Sequence, residues 1–408
     1  MIDLVLRLRR LGPIAAAVAG SRSLVLVTAP DAVRHVLTRH PDRYVKRSHR
    51  ARALIGDGLL AAEGEQWRTQ RRILQARFAG HGIEQFTPSI AAAADRLTDR
   101  WRAAADRGQD RDLGADMQFF TLDTIWRALT GHPLDEDTAR DLHAACASAV
   151  AALPTSPAAS NTELPPGFAA DLARIDAIAA AAIAAARSGR AGPHGRGLLH
   201  VLLDAAAEHP QYTDRLVRDE LVTLLIAGHE TTATTLTWLH LLLDRRPEWC
   251  TRALDAGPAG SPARTAAIRA LVSETLRLYP AAWFMPRYAT EDDEIGGLRI
   301  EAGSTVLVCP YLTHRDPAVW PGPEQFRPDR FLDPAHRPVP GGYYPFGLGP
   351  RACLGARFTV LETTALLERL LPAFTVRLHH PPADADADFG IVVRPRGDLT
   401  ATITRTGR

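Results

Sequence analysis

Lysine is almost missing from this chain: among 48 basic residues, Lys46 is the sole lysine and the rest are arginine. With so much alanine beside it, that imbalance fits the codon bias of a GC-rich genome and carries no mechanism of its own. Net charge of one sign is also missing. The formal value is +2, too small to set up a general field for nucleic acid. Cysteine is scarce: Cys146, Cys250, Cys309 and Cys353 lie far apart with no CxxC pair. That excludes a zinc ribbon and a disulfide scaffold and points to a reducing cytosol. No apolar run approaches the ~18 residues of a membrane span. The N-terminal stretch is interrupted by Asp3, Arg7, Arg9 and Arg10, so neither a secretory leader nor a membrane anchor is expected. What remains is ordinary globular composition, 46% hydrophobic and 23% charged over 408 residues. That length calls for two domains or one large fold of two lobes.

Hydrophobic spacing predicts a helix-rich protein with small sheets. Residues 23–28 (SLVLVT) have the pattern of a strand, and Asp31 begins a helix. Apolar residues then recur every three to four positions through 66–79, 89–105, 117–131, 138–152, 170–187, 197–208 and 214–244. Short strand-like runs return at 286–290, 298–309, 373–379 and 390–405. Three irregular stretches interrupt this pattern. Residues 152–168, rich in Pro and Ser, are expected to form a lid between two helices. Residues 187–197 are a glycine-rich surface loop. The third stretch carries nine prolines between 317 and 350, interleaved with Trp320, Phe326, Phe331, Tyr343, Tyr344 and Phe346. So many aromatic rings require burial, so this segment is expected to be an ordered, packed coil.

That coil ends in PFGLGPRACLGARF, so Cys353 sits where a glycine-rich loop enters a helix. Backbone N–H groups at Gly347, Gly349 and Gly355, the helix dipole and the charge of Arg351 would favour a thiolate there. A second site lies in the longest helical run. Within its apolar middle stand Gly228, which costs about 1 kcal/mol against alanine, and Glu230, a carboxylate expensive to bury without a partner. Neither suits simple packing. The Thr231 hydroxyl can bond back to the Ala227 carbonyl and open the helix locally. Glu274 and Arg277, three apart, share one face of a helix ended by Pro280, and Trp67 and Arg71, four apart, share another.

Together these strings resemble the cytochrome P450 monooxygenases. Phe346, Gly349, Arg351, Cys353 and Gly355 match the family's FxxGxRxCxG loop. AGHETT at 227–232 matches its [AG]Gx[DE]TT groove, Glu274 and Arg277 its ExxR pair, FRPDRF at 326–331 its PxRF segment, and Trp67 with Arg71 its WxxxR helix. The order and spacing are those of the family, over essentially the whole chain, which is therefore expected to be a single domain, residues 1–408. The resemblance implies a mainly α fold with small β-sheets, a helix-rich lobe and a smaller β-containing lobe around a buried haem.

What the resemblance implies residue by residue is equally definite. Cys353 is the iron ligand, whose thiolate donation favours O–O cleavage. Thr231 donates to dioxygen and Glu230 relays protons. Trp67, Arg71, Arg287, Arg351, Phe346, Gly347, Gly355, Ala227 and Gly228 contact haem b, and Glu274, Arg277 and Arg330 form a structural triad behind it. His229, at the variable position of the motif, is a spacer. The pocket is drawn from residues 48–62, the 152–168 lid, Leu224, Ala227, Trp283, Phe284, Met285 and the segment 389–391, with Ile391 at its tip. These apolar walls suit a terpenoid or other secondary-metabolite intermediate, in the manner of soluble bacterial members. Fatty-acid hydroxylation, with arginines 47, 50 and 52 as a carboxylate clamp, and oxidative coupling of aromatic rings in a peptide are the alternatives. No fused reductase is apparent. Electrons are expected from an acidic ferredoxin and its reductase, docking on Arg68, Arg72, Arg77 and Arg357. A cytoplasmic monomer that binds no nucleic acid completes the expectation.

Overall fold

The computed structural model describes residues 1–19, 22–47, 51–153, 164–189, 192–381, 386–397 and 399–407. Between residues 64 and 245 the chain is a succession of helices, and their ends follow from capping chemistry. The side chains of Asp112, Asp135, Thr213 and Ser261 each accept a backbone N–H of the first turn that follows them. Gly108 and Gly131 stop two helices in the left-handed conformation, at φ 60 and 81.

The long helix Asp214–Arg245 has 32 residues, about 48 Å at 1.5 Å per residue. Most of its length is buried on every side, which explains its lack of a single apolar stripe. Trp238 fixes it to the C-terminal half of the molecule. The indole stacks on Tyr279 with ring centroids 3.6 Å apart and donates to the Val393 carbonyl at 3.0 Å. Against the long helix runs Leu113–Thr130, itself largely buried.

The main sheet has five strands in the order Ile14–Ala19, Arg22–Val27, Thr305–Val308, Met285–Ala289 and Tyr44–Val45. Only the second and third run parallel; the others are antiparallel. A three-stranded sheet joins Arg111–Asp112, Thr400–Arg405 and Phe374–Leu378, and the described residues also hold two short hairpins. The proline-rich segment is packed, as its aromatics require. Trp320 is buried and donates to the Gly342 carbonyl at 3.0 Å, while Phe331 and Tyr343 close around it.

Elements with no counterpart in the sequence analysis include the helices Ile2–Leu11 and Glu248–Asp255 and the strands Ile14–Ala19, Tyr44–Val45 and Arg111–Asp112. The expected lid at 152–168 falls largely outside the described residues, as do Arg50 and residues 190–191 of the glycine-rich loop. Among the described residues no helix is long and apolar enough to cross a membrane.

Candidate functional site

The cysteine loop is shaped by two glycines in the left-handed region, Gly347 at φ 72 and Gly349 at φ 70. Gly349 is also pressed against the helical turn His35–Arg39, where a Cβ would lie 1.9 Å from the Leu37 carbonyl oxygen. The loop closes on itself: Cys353 N–H donates to the Phe346 carbonyl at 2.8 Å and Ala352 N–H to that of Gly349 at 3.1 Å. Cys353 then precedes the helix Ala356–Ala373 by three residues. Its thiol is accessible from an internal cleft although protein surrounds it. Burial pushes the thiol pKa up, opposed by the N–H groups of Gly355 and Ala356 and by the charges of Arg71 and Lys46. Of these partners the Gly355 N–H is one that the sequence suggested. Arg351 is directed instead at the Ala62 carbonyl, at 2.9 Å, and its guanidinium lies 4.0 Å from the centre of the Trp67 ring.

Around the same cleft stand four cations. Lys46 is held down to about 7 by burial and by the neighbouring Arg287 and Arg351. Burial holds Arg287 and Arg351 down to about 10 and lowers Arg71 as well. Among the described residues none of the four has a carboxylate within ion-pair distance. Such a group of enclosed, mutually repelling charges is costly unless an anion completes it. An accessible thiol with unneutralised cations near it fits a macrocycle with a soft metal-ligand need and two carboxylates, which is haem. Cys353 would hold its iron, and Lys46, Arg71, Arg287 and Arg351 its propionates; when bound, haem supplies the oxygen-activating chemistry.

On the long helix Ala227 and Thr231 are accessible among mostly buried neighbours. The Thr231 hydroxyl donates to the Ala227 carbonyl at 2.9 Å, the bond that the sequence suggested. The helix also touches the cysteine helix, where the hydroxyls of Thr232 and Thr359 lie 3.4 Å apart. Glu230 is nearly buried and paired with Arg394 of the strand Val393–Pro395. Burial raises its pKa and Arg394 opposes that rise. His229 faces inward and is fully enclosed, edge-on to His143, and burial pushes its pKa down to about 3.

Gly228 requires a correction. The sequence suggested no packing role, but a Cβ there would lie 2.9 Å from two carbons of Ile125, so the glycine is what admits the neighbouring helix. Behind the cysteine loop, the Glu274 carboxylate receives Arg277 at 2.7 and 2.8 Å, Arg330 at 3.1 Å and the Arg327 N–H at 2.8 Å. Arg277 further donates to the carbonyls of His314, Pro323 and Gln325. Of the expected pocket residues, Met285 lies beside the cysteine loop, with Sδ 3.5 Å from where a Cβ on Gly347 would stand. Phe284 is half-buried and Ile391 exposed at a hairpin tip. Leu224 is buried within the helical core. Trp283 is wholly enclosed, its indole donating to the Gly390 carbonyl at 2.9 Å with Phe389 against its face. Two participants escaped the sequence reading. Lys46 had a signal in its uniqueness, whereas nothing local marks Arg394.

The sequence profile of the cytochrome P450 family matches residues 6–255 and 264–400. Cyclooctatin synthase of Streptomyces melanosporofaciens is 30% identical, over 94% of this chain and 85% of its own. Cyclooctat-9-en-7-ol 5-monooxygenase of the same organism is 32% identical, over 88% and 81%. Among solved structures, the cytochrome P450DA heme domain superposes with a TM-score of 0.85 at 25% identity, covering 99% of this chain and 93% of that one. CYP175A1 from Thermus thermophillus gives 0.75 at 30% identity, over 99% and 94%. With the fold, the cysteine loop and the sequence all in agreement over nearly its full length, the chain belongs to the cytochrome P450 family and is a haem-dependent monooxygenase.

Proposed function

We propose that this monooxygenase hydroxylates an unactivated C–H bond of a neutral, hydrophobic small molecule of the terpenoid class, using O2, haem b and electrons from a separate ferredoxin and its reductase. The observation that carries the neutral, hydrophobic part concerns the arginines that a fatty acid would need. Arg47 stacks on Tyr288, 3.4 Å from the ring centre. Arg52 is turned to Asp57 at 3.7 Å and to the Ala61 carbonyl at 3.5 Å. With these two engaged and Arg394 committed to Glu230, the substrate side offers Ala227, Phe284 and Met285, which hold a ligand by apolar contact and shape. A relative whose name states monooxygenation of an unsaturated alcohol at position 5 supports the same reading.

In this reading Thr231 and Glu230 are the catalytic pair. The threonine hydroxyl sits on the open face of the helix, ready to exchange its Ala227 partner for dioxygen. Glu230, whose pKa is raised by burial against the opposing charge of Arg394, stands one residue away and relays protons. The apolar walls exclude water from the reacting bond. The exposed Arg68, Arg72, Arg77 and Arg357 form the face that receives an acidic electron donor, and the protein acts as a cytoplasmic monomer.

Titration of the ferric holoprotein with terpene hydrocarbons and alcohols, fatty acids and aromatic dipeptides tests the proposal. A saturable low-spin to high-spin Soret shift with terpenoids alone, followed by a product one labelled oxygen atom heavier, is expected. A shift with fatty acids instead, or a product lighter by two hydrogens, would overturn it.

A further inference from the structure

Three consecutive side chains of the long helix turn to the backbone of one loop. Arg218 Nη1 donates to the Leu54 carbonyl at 3.0 Å. The Asp219 carboxylate accepts the Asp57 N–H at 3.0 Å, and Glu220 Oε2 accepts the Leu59 N–H at 2.9 Å. Glu220 is completely buried, and its other oxygen accepts from the Tyr212 hydroxyl at 3.1 Å. The loop is cut to fit these groups. A Cβ on Gly56, at φ 53, would lie 2.0 Å from the Asp219 carboxylate, and one on Gly58 would lie 2.0 Å from the Thr223 hydroxyl.

Packing alone gives no reason for this arrangement. Leu54, Ile55 and Leu59 already supply buried apolar surface, and a carboxylate enclosed without a cation of its own is among the costliest groups to bury. Arg218, the nearest cation along the helix, is bonded to Asp176 at 2.7 Å and to Asp219 at 3.0 Å. The loop's position in the chain supplies the reason. It runs between two anchors of the cation group: Lys46 precedes it, and Ala62, at its end, gives its carbonyl to Arg351.

We infer that Glu220, assisted by Asp219, is a positioning residue: it latches residues 54–62 to the long helix and thereby sets both the seat of Arg351 and the access of small molecules to the cleft. The second part rests on the reading of that segment as a wall of the substrate site. The latch is sensitive to pH. Burial, with the adjacent Asp219 charge adding, raises Glu220 to about 7 from 4.5, against the Leu59 and Tyr212 hydrogen bonds. The other charged groups about it are Arg218, held by Asp176, and Asp57 on the loop, facing Arg52. With the loop open, Glu220 meets water and returns to its ordinary value. A group whose pKa is raised in the closed form favours closure most at low pH and loses that contribution as pH rises to about 7.

Amide hydrogen exchange over residues 54–62 of the holoenzyme, corrected for intrinsic chemistry and measured at pH 5.5 and pH 8, tests the latch. Protection in the unmodified protein should be roughly ten- to thirtyfold lower at pH 8. Glu220→Gln, whose amide oxygen accepts the Leu59 N–H while its NH2 donates to the Tyr212 hydroxyl, cannot titrate and should show equal protection at the two values. Glu220→Leu should lose protection at both and bind imidazole, followed by its Soret shift, with a faster on-rate. Should Glu220→Leu fold poorly, the comparison of Glu220→Gln with the parent suffices. The inference is overturned if parent and Glu220→Gln respond identically to pH, or if Glu220→Leu keeps full protection. Altered protection with an unchanged imidazole on-rate upholds the latch and rejects the loop as a wall of the site.

Discussion

At Gly228 two opposing terms meet. Alanine in a helix interior gains about 1 kcal/mol over glycine, but here its methyl group would lie 2.9 Å from the Ile125 side chain. Overpacking of this kind costs about 1–3 kcal/mol, and the contact is with a side chain held inside the core. Gly228→Ala is therefore expected to lower the denaturant midpoint, and Ile125→Ala to cost less in that background than in the parent chain, because it also relieves the clash. A second residue-scale effect belongs to Arg394. Its charge opposes the burial that raises the Glu230 pKa, so Arg394→Gln lets that pKa rise further. If a protonated Glu230 delivers the proton, the alkaline limb of the pH profile of turnover moves upward in the variant. An unmoved limb would separate Glu230 from proton delivery.

At the scale of elements, the tie behind the cysteine loop carries the largest predicted stability effect. Glu274 and Arg277 are completely buried, and Arg330 nearly so. Removing one partner leaves an uncompensated charge, about 3–5 kcal/mol. Glu274→Gln is accordingly expected to reduce folded yield and haem content together, measured by thermal unfolding and by haem-to-protein ratio. The elements themselves were unequally legible. The longer helices between 64 and 208 follow from repeated 3.6-residue spacing, and Asp214–Arg245 from the sheer length of its apolar run. The strand Ile14–Ala19 offers no such signal. Its sequence is IAAAVA, without the β-branched alternation of a strand, and it exists because Arg22–Val27 supplies a partner in full register. Tyr44–Val45 and Arg111–Asp112 are two-residue strands defined wholly by their neighbours. The site divides the same way. Cys353, Thr231 and Glu274 stand in compact strings whose chemistry is local, whereas Arg394 reaches Glu230 from 164 residues away, a distance no local pattern spans.

Across the whole molecule, a net charge near zero conceals an uneven surface. Arg68, Arg72 and Arg77 are exposed along one helix, and Arg357 on the helix that follows Cys353. Only Arg68 among them has a carboxylate partner within 4 Å among the described residues, Glu65 on its own helix. An acidic donor would gain from such a face in rate of encounter more than in tightness of binding. Reversal of Arg68 and Arg72 to glutamate is expected to cut ferredoxin-driven turnover several-fold and to flatten its salt dependence, while substrate-induced spin shifts stay as they were. Equal turnover and equal salt dependence in the variant would move the docking face elsewhere.

The solitary Lys46 gives this enzyme a built-in gauge. Its ammonium, held down to about 7 among neighbouring arginines, is a free amine in a large fraction of molecules at neutral pH, and the chain has no other lysine side chain to compete for an acylating reagent. Its position beside Arg287 and Arg351 means that a seated porphyrin would cover it. The extent of acylation at this one residue, read by mass spectrometry, would therefore count the molecules that carry their prosthetic group, with no recourse to absorbance.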